Sequence, residues 1–92
     1  MKLPNSVELL ERYAFSSCTG IKELVLSNNM EKISEGSFYG CSSLTSLEVP
    51  KGIRTIESKA FYYCTELKTA KIPETASVSE SAFMGCEKLE LN

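Results

Sequence analysis

The four cysteines of this 92-residue chain, Cys18, Cys41, Cys64 and Cys86, are separated by 23, 23 and 22 residues, and no other feature limits the possible folds so sharply. The four phenylalanines keep step with them. Phe15, Phe38, Phe61 and Phe83 each stand three residues before a cysteine and directly after a small residue, Ala14, Ser37, Ala60 or Ala82. Three residues beyond each cysteine comes Ile21, Leu44, Leu67 or Leu89, followed by Leu24, Leu47 and Ala70, and then by Leu26, Val49 and Ile72. Val7, Met30 and Ile53 also align, as do Leu10, Ile33, Ile56 and Val78, and the fourth unit loses one residue between Pro73 and Val78. A fixed period in this range marks a solenoid or related array, in which each unit buries its apolar face only against its neighbours and about three units are needed for stability. Such a stack suits a chain too short to enclose a large three-dimensional core.

Each part of the unit has a local reading. Leu47-Glu48-Val49 alternates inward, outward, inward, as do Leu24-Val25-Leu26 and Ala70-Lys71-Ile72, which is the period of a strand with one buried face. Repeated once per unit, these segments predict stacked parallel strands. Pro50 and Pro73, matched by Pro4 and replaced by Ser27, end the strand, because proline has no N–H for the ladder. Residues around Ile33, Ile56 and Val78 are expected to return as a second short strand. The Phe-x-x-Cys-x-x-Leu spacing suits one or two turns of tight helix with Phe and Cys facing inward.

Several function classes are disfavoured. There is no histidine, which removes the commonest general base, the commonest zinc ligand and every Ser/His or Cys/His nucleophile pair, so the chain is read as non-enzymatic. The five glycines form no phosphate-cradling pattern and no cofactor is expected. Ten Lys and Arg against twelve Asp and Glu, without clustering, argue against nucleic acid as a partner. No apolar run approaches the ~20 residues of a bilayer crossing, so membrane insertion is not expected. Residues 1–6 do not read as a secretory leader.

The segment Ile21-x-x-Leu24-x-Leu26-x-x-Asn29, together with the recurring A-F-x-x-C-x-x-L-x-x-[IV]-x-[IV]-P, resembles the BspA-like class of leucine-rich repeats over nearly the whole chain. One departure is that the general pattern's asparagine position holds Ser6, Asn29, Gly52 and Thr75, so no asparagine ladder can form. The resemblance implies an α/β solenoid: a right-handed leucine-rich-repeat superhelix of short parallel strands and short helical or 3-10 turns. It forms one domain over residues 1–92, with repeats at about 1–23, 24–46, 47–69 and 70–91. It also implies a non-catalytic, adhesin-like protein-interaction module at the cell surface or secreted, binding a host or matrix protein. The missing leader leaves the cytoplasm open as the alternative.

Equivalent residues of stacked rungs sit about 4.8 Å apart, so four cysteines span about 14 Å, too far for one tetrahedral zinc site. Parallel side chains also hold their Cβ atoms farther apart than the roughly 3.5 to 4.5 Å of a disulfide. The cysteines are therefore read, with Phe15, Phe38, Phe61 and Phe83, as a structural ladder of free thiols, and no metal site is expected. Two surfaces are candidates for protein binding. One is the outward side of the main strands: Glu23, Val25, Ser27, Ser46, Glu48, Thr69 and Lys71. The other is the pair of positions between Phe and Cys, where Tyr39, Tyr62 and Tyr63 stand; tyrosine is a favoured contact residue. The plain alternative for both is solvated surface.

In the repeat frame Met1 aligns with Leu24 and Asn92 with Ala70, while Leu91 falls out of register at the position of Glu23, Ser46 and Thr69. Neither end reads as capped. Two expectations follow: a homo-oligomer built through open ends by stacking or exchange of a terminal repeat, or a piece of a longer repeat protein whose neighbours cover both ends. The packing ladder itself predicts that thiol titration in denaturant finds four free thiols; a smaller number would contradict it.

Overall fold

The chain coils once per repeat, and each full coil lays down one strand in each of two parallel sheets. The structure, a computed structural model, describes residues 1–91, with side chains through Glu90; the Asn92 alignment lies outside the described residues. The first sheet contains β1 (Glu23–Val25), β3 (Ser46–Glu48), β5 (Thr69–Lys71) and β7 (Glu90–Leu91), in that spatial order. The second contains β2 (Lys32–Ile33), β4 (Thr55–Ile56) and β6 (Ser77–Val78). Register follows the repeat: Leu24 faces Leu47, which faces Ala70, and Ile33 faces Ile56, which faces Val78. Lys2 makes a parallel bridge to Val25, as the alignment of Met1 with Leu24 requires. At the other end the backbone corrects the count, since Glu90 pairs with Thr69 and Leu91 with Ala70. A strand of two residues can slide by one position to keep its pairing.

Alternation along the first sheet is as expected. Leu24, Leu47 and Ala70 are buried between exposed neighbours in all three full strands. Pro4, Pro50 and Pro73 each begin a turn by accepting a hydrogen bond from the amide three residues on: Val7, Ile53 and Ala76. Ser27, the one non-proline at this position, behaves differently from the expectation. It is buried rather than outward, its hydroxyl donating to the Val7 carbonyl at 2.6 Å and accepting from the Asn29 amide at 3.1 Å. The two-residue period stops with β1 at Val25, and Ser27 lies in the turn, where its hydroxyl stitches two rungs together.

The third side of the coil is not helical. Within each rung alternate amides bond three residues back, as Ser16 to Tyr13 and Cys18 to Phe15, in separate turns. The intervening amides point along the stack: Tyr13 donates to Glu35 at 2.9 Å, Phe15 to Ser37 at 2.8 Å and Ser17 to Tyr39 at 2.6 Å. The cause is a left-handed residue on either side of the phenylalanine, Tyr13 and Ser17 (φ 59° and 58°), Gly36 and Gly40 (62° and 69°), and Lys59 and Tyr63 (58° and 55°). Left-handed residues cannot continue a right-handed helix, and here they rotate every second N–H toward the next rung. A spacing of three residues cannot distinguish a tight helix from turns closed by i to i+3 bonds.

The ladder fills the interior. Phe15, Phe38, Phe61 and Phe83 stack with centroids 5.6, 5.3 and 5.2 Å apart and planes within 8°. Phe38, Phe61, Cys41, Cys64, Leu44, Leu67, Ile33, Ile56 and Ile53 are wholly buried, whereas Phe15, Cys18, Phe83 and Cys86 are only half-buried in the outer rungs. Every cysteine is a free thiol. Cys41 donates to the Phe15 carbonyl at 3.3 Å, Cys64 to that of Phe38 at 3.3 Å and Cys86 to that of Phe61 at 3.0 Å. Burial pushes the Cys41 thiol up to about 11. Cys64 is raised by the neighbouring Cys86 thiol and by burial, and Cys64 in turn lowers Cys86.

Three outcomes are expected. Phe61→Ala should cost about 3–5 kcal/mol, measured by urea denaturation, because a cavity opens between two stacked rings. At pH 8 only about one Cys41 in a thousand is thiolate in the native state, so a thiol reagent should modify Cys86 first and reach Cys41 and Cys64 only through unfolding. Raising the pH from 9 to 11 should lower the urea midpoint, because Cys41, at its ordinary value of 9.0 when unfolded and about 11 when folded, ionises first in the unfolded chain.

Candidate functional site

The strand face is built by the register of the first sheet. Parallel pairing places Glu23, Ser46 and Thr69 in one row and Val25, Glu48 and Lys71 in the next. All six side chains are exposed, because the alternation that turns Leu24, Leu47 and Ala70 inward leaves their neighbours outward. Val25 is an apolar residue at 52% exposure in an otherwise polar pair of rows. Lys71 Nζ and Glu48 Oε1 are 3.9 Å apart with both side chains mostly in solvent, so the pair contributes little to stability and leaves both charges available. A groove of about 760 Å³ runs from this face to the proline turns, lined by Val25, Glu48, Lys71, Asn28, Pro50 and Pro73 among others. The sheet thus brings together six of the seven strand-face residues expected to bind, and Ser27 is excluded by its burial.

The tyrosines form a second surface on the turn side of the coil. Tyr39 and Tyr62 stack at 5.0 Å, Tyr62 meets Tyr63 edge-on at 4.4 Å, and Lys59 Nζ lies 5.7 Å from the Tyr62 ring centre. Tyr39 and Tyr62 are half-buried, so covering the rungs beneath is part of their work, while Tyr63 is half-exposed. The Tyr63 hydroxyl is pushed above its ordinary value by its hydrogen bond with Tyr62 and by the charge of that neighbour. Tyr13 extends the row, 6.1 Å from Tyr39. It was missed in sequence because it stands two residues before Phe15 rather than between Phe and Cys. Its signal is Gly36 in the next rung: a Cβ on Gly36 would lie 2.2 Å from the Tyr13 ring, and one on Gly85 would lie 2.1 Å from Tyr63. Ring over glycine is thus a paired device on this side.

A third surface escaped sequence reasoning altogether. A broad hollow of about 1370 Å³ lies over the second sheet, lined by residues including Leu9, Arg12, Lys32, Glu35, Thr55 and Glu57. Its ion pairs cross rungs, Arg12 to Glu35 at 3.9 Å and Lys32 to Glu57 at 3.8 Å. Strands of two residues give too short an alternation to mark an outward face. Among the described residues no group of three or more possible ligands is placed to hold a metal ion, and no helix is long and apolar enough to cross a membrane.

Comparison with known proteins agrees with this geometry. A leucine-rich cell surface protein from Faecalibacterium prausnitzii A2-165 superposes with a TM-score of 0.93 at 34% identity, covering 98% of this chain and 24% of that one. A leucine-rich repeat protein from Bacteroides ovatus shares the fold with a TM-score of 0.87 at 24% identity, over 99% of this chain and 23% of that one. The chain thus spans about a quarter of the length of these solved relatives. No curated protein matches it. The BspA type leucine rich repeat region matches residues 1–91, in six copies. With the Phe and Cys ladder in register through every coil, the chain belongs to the BspA-type leucine-rich repeat family.

Proposed function

We propose that this chain is a non-catalytic, adhesin-like protein-interaction segment of a bacterial cell-surface protein, and that it docks a protein ligand, of host or matrix origin, on the strand face. The observation that carries the reading is the pair of exposed rows Glu23, Ser46, Thr69 and Val25, Glu48, Lys71, held in register by the first sheet. Flat parallel rows on a rigid solenoid are the usual contact surface of repeat proteins. An apolar Val25 beside opposed charges offers an anchor with a polar surround, the arrangement that concentrates binding energy. The cell-surface description of the Faecalibacterium relative supports the location. The tyrosine row is the alternative contact surface of the same function.

A second reading, a self-associating structural element, is favoured by the outer rungs. Phe15 and Phe83 are half-buried at positions where Phe38 and Phe61 are wholly buried.

The binding reading is tested by immobilising the chain and passing purified fibronectin, laminin, collagen and fibrinogen over it. Val25→Asp and Lys71→Glu should each weaken a bound protein by about tenfold or more, a loss of about 1.4 kcal/mol, with the circular dichroism spectrum unchanged. Binding that ignores both variants but falls in Tyr63→Ala would move the contact to the tyrosine row. No binding by any of the four proteins would overturn the matrix-protein reading.

A further inference from the structure

The four tyrosines form an unbroken line of phenols along the turn side. Ring centroids are 6.1 Å apart from Tyr13 to Tyr39, 5.0 Å from Tyr39 to Tyr62 and 4.4 Å from Tyr62 to Tyr63. The line crosses three successive rungs, and its exposure is graded. Tyr13 and Tyr63, at its two ends, are 43% and 50% exposed, while Tyr39 and Tyr62 between them are half-buried. The end rings are also held in place. Each lies over the glycine of the following rung, Tyr13 on Gly36 and Tyr63 on Gly85, and the Tyr13 hydroxyl donates to Glu35 Oε2 at 3.3 Å. The chain has no tryptophan and its thiols are buried or half-buried, so the phenols of Tyr13 and Tyr63 are what a one-electron oxidant meets at the surface.

Of the three gaps, the middle one is suited to forming a bond. Tyr39 and Tyr62 stand at equivalent positions of adjacent rungs and stack with planes within 28°, so corresponding ring edges face the same way. Tyr62 and Tyr63 meet at 69°, which aims the edge of one ring at the face of the other. Tyr13 and Tyr39 are tilted by 54° and lie farther apart.

We propose that Tyr39 and Tyr62 are the site of an oxidative cross-link, a dityrosine bridge that ties the second rung to the third, with Tyr13 and Tyr63 as the points where electrons leave. The oxidant is a peroxide acting through a haem peroxidase. One peroxide takes up two electrons and two protons and becomes two waters, while Tyr39 and Tyr62 each lose, in net, one electron and the hydroxyl proton. The two phenoxyl radicals join through ring carbons adjacent to the carbon that bears oxygen. The hydrogen on each joined carbon then moves to the oxygen, restoring both hydroxyls. A radical first formed on Tyr63 is refilled from Tyr62, and one formed on Tyr13 is refilled from Tyr39. Holding the two inner radicals side by side turns a bimolecular encounter into an intramolecular one, the same gain that positioning gives an active site. All four cysteines being free thiols, the bridge supplies a covalent tie between rungs, and such a tie stabilises a fold by restricting the unfolded chain.

The test treats the folded 92-residue chain, at a dilution where light scattering finds a monomer, with a haem peroxidase and one equivalent of hydrogen peroxide. The monomer should become lighter by two hydrogens and acquire the blue fluorescence of dityrosine. Trypsin should then release peptides 33–51 and 60–68 as a linked pair, with fragment ions placing the link on Tyr39 and Tyr62. The urea midpoint should rise after treatment, and the rise should vanish in Tyr62→Phe treated in the same way. Tyr63→Phe should keep the link and slow its formation severalfold. A link confined to Tyr62 and Tyr63, covalent dimers alone, no bridge at all, or a bridge that forms equally fast in urea would overturn the proposal. A bridge that leaves the urea midpoint unchanged would overturn its role as a tie between rungs.

Discussion

Everything in this molecule depends on equivalent residues of successive coils lying directly over one another. Once Phe38 sits between Phe15 and Phe61 with planes nearly parallel, the strands 23 residues apart are brought into pairing distance on one side and the turns on the other. No single coil could hold this shape. A strand of two or three residues has too few hydrogen bonds to persist alone, and the left-handed residues of the turns carry a conformational cost. Stacking supplies the missing partners in both cases. The buried thiols contribute in the same way, each donating to the phenylalanine carbonyl of the preceding rung.

The same constraint separates core from surface with little room for compromise. A position facing the axis repeats as a column of apolar side chains, and a position facing outward repeats as a row. Rows vary in chemistry because they bear on no packing: Val25, Glu48 and Lys71 are an apolar residue, an acid and a base at one structural position. Variation of this kind is what a recognition surface needs. It also explains why ion pairs form across rungs, as in Arg12 with Glu35 and Lys88 with Glu66, where side chains on adjacent rungs are 23 and 22 residues apart in sequence.

Polarity is the less expected consequence. The strand sheets are parallel and so have a direction, but the turn-side backbone has a stricter one, its inter-rung amides donating from the earlier rung to the later while the thiols donate back. The device that creates it is small: a left-handed glycine or non-glycine on each side of Phe15, Phe38 and Phe61, and after Phe83. At Gly36 and Gly85 a tyrosine of the earlier rung lies over the space that a Cβ would fill, whereas Gly40 faces Ser17. Backbone conformation and surface aromatic packing are therefore coupled on this side of the coil.

The sequence by itself determined the period, the ladder of Phe and Cys, the short parallel strands, the proline turns and the family, because a column of identical side chains writes the same letters at the same interval. It also identified six of the seven strand-face residues, since alternation over three positions is enough to separate Leu24 from Val25. Only the tertiary structure decided the rest. It replaced the expected helix by turns, because an i to i+3 spacing is common to both and the handedness of φ at Tyr13, Ser17 and their equivalents is invisible in the letters. It turned Ser27 inward, because a hydroxyl can find a carbonyl 20 residues away that no local pattern reveals. And it set Leu91 opposite Ala70 rather than one position behind, because pairing with the rung already formed outweighs the arithmetic of the repeat.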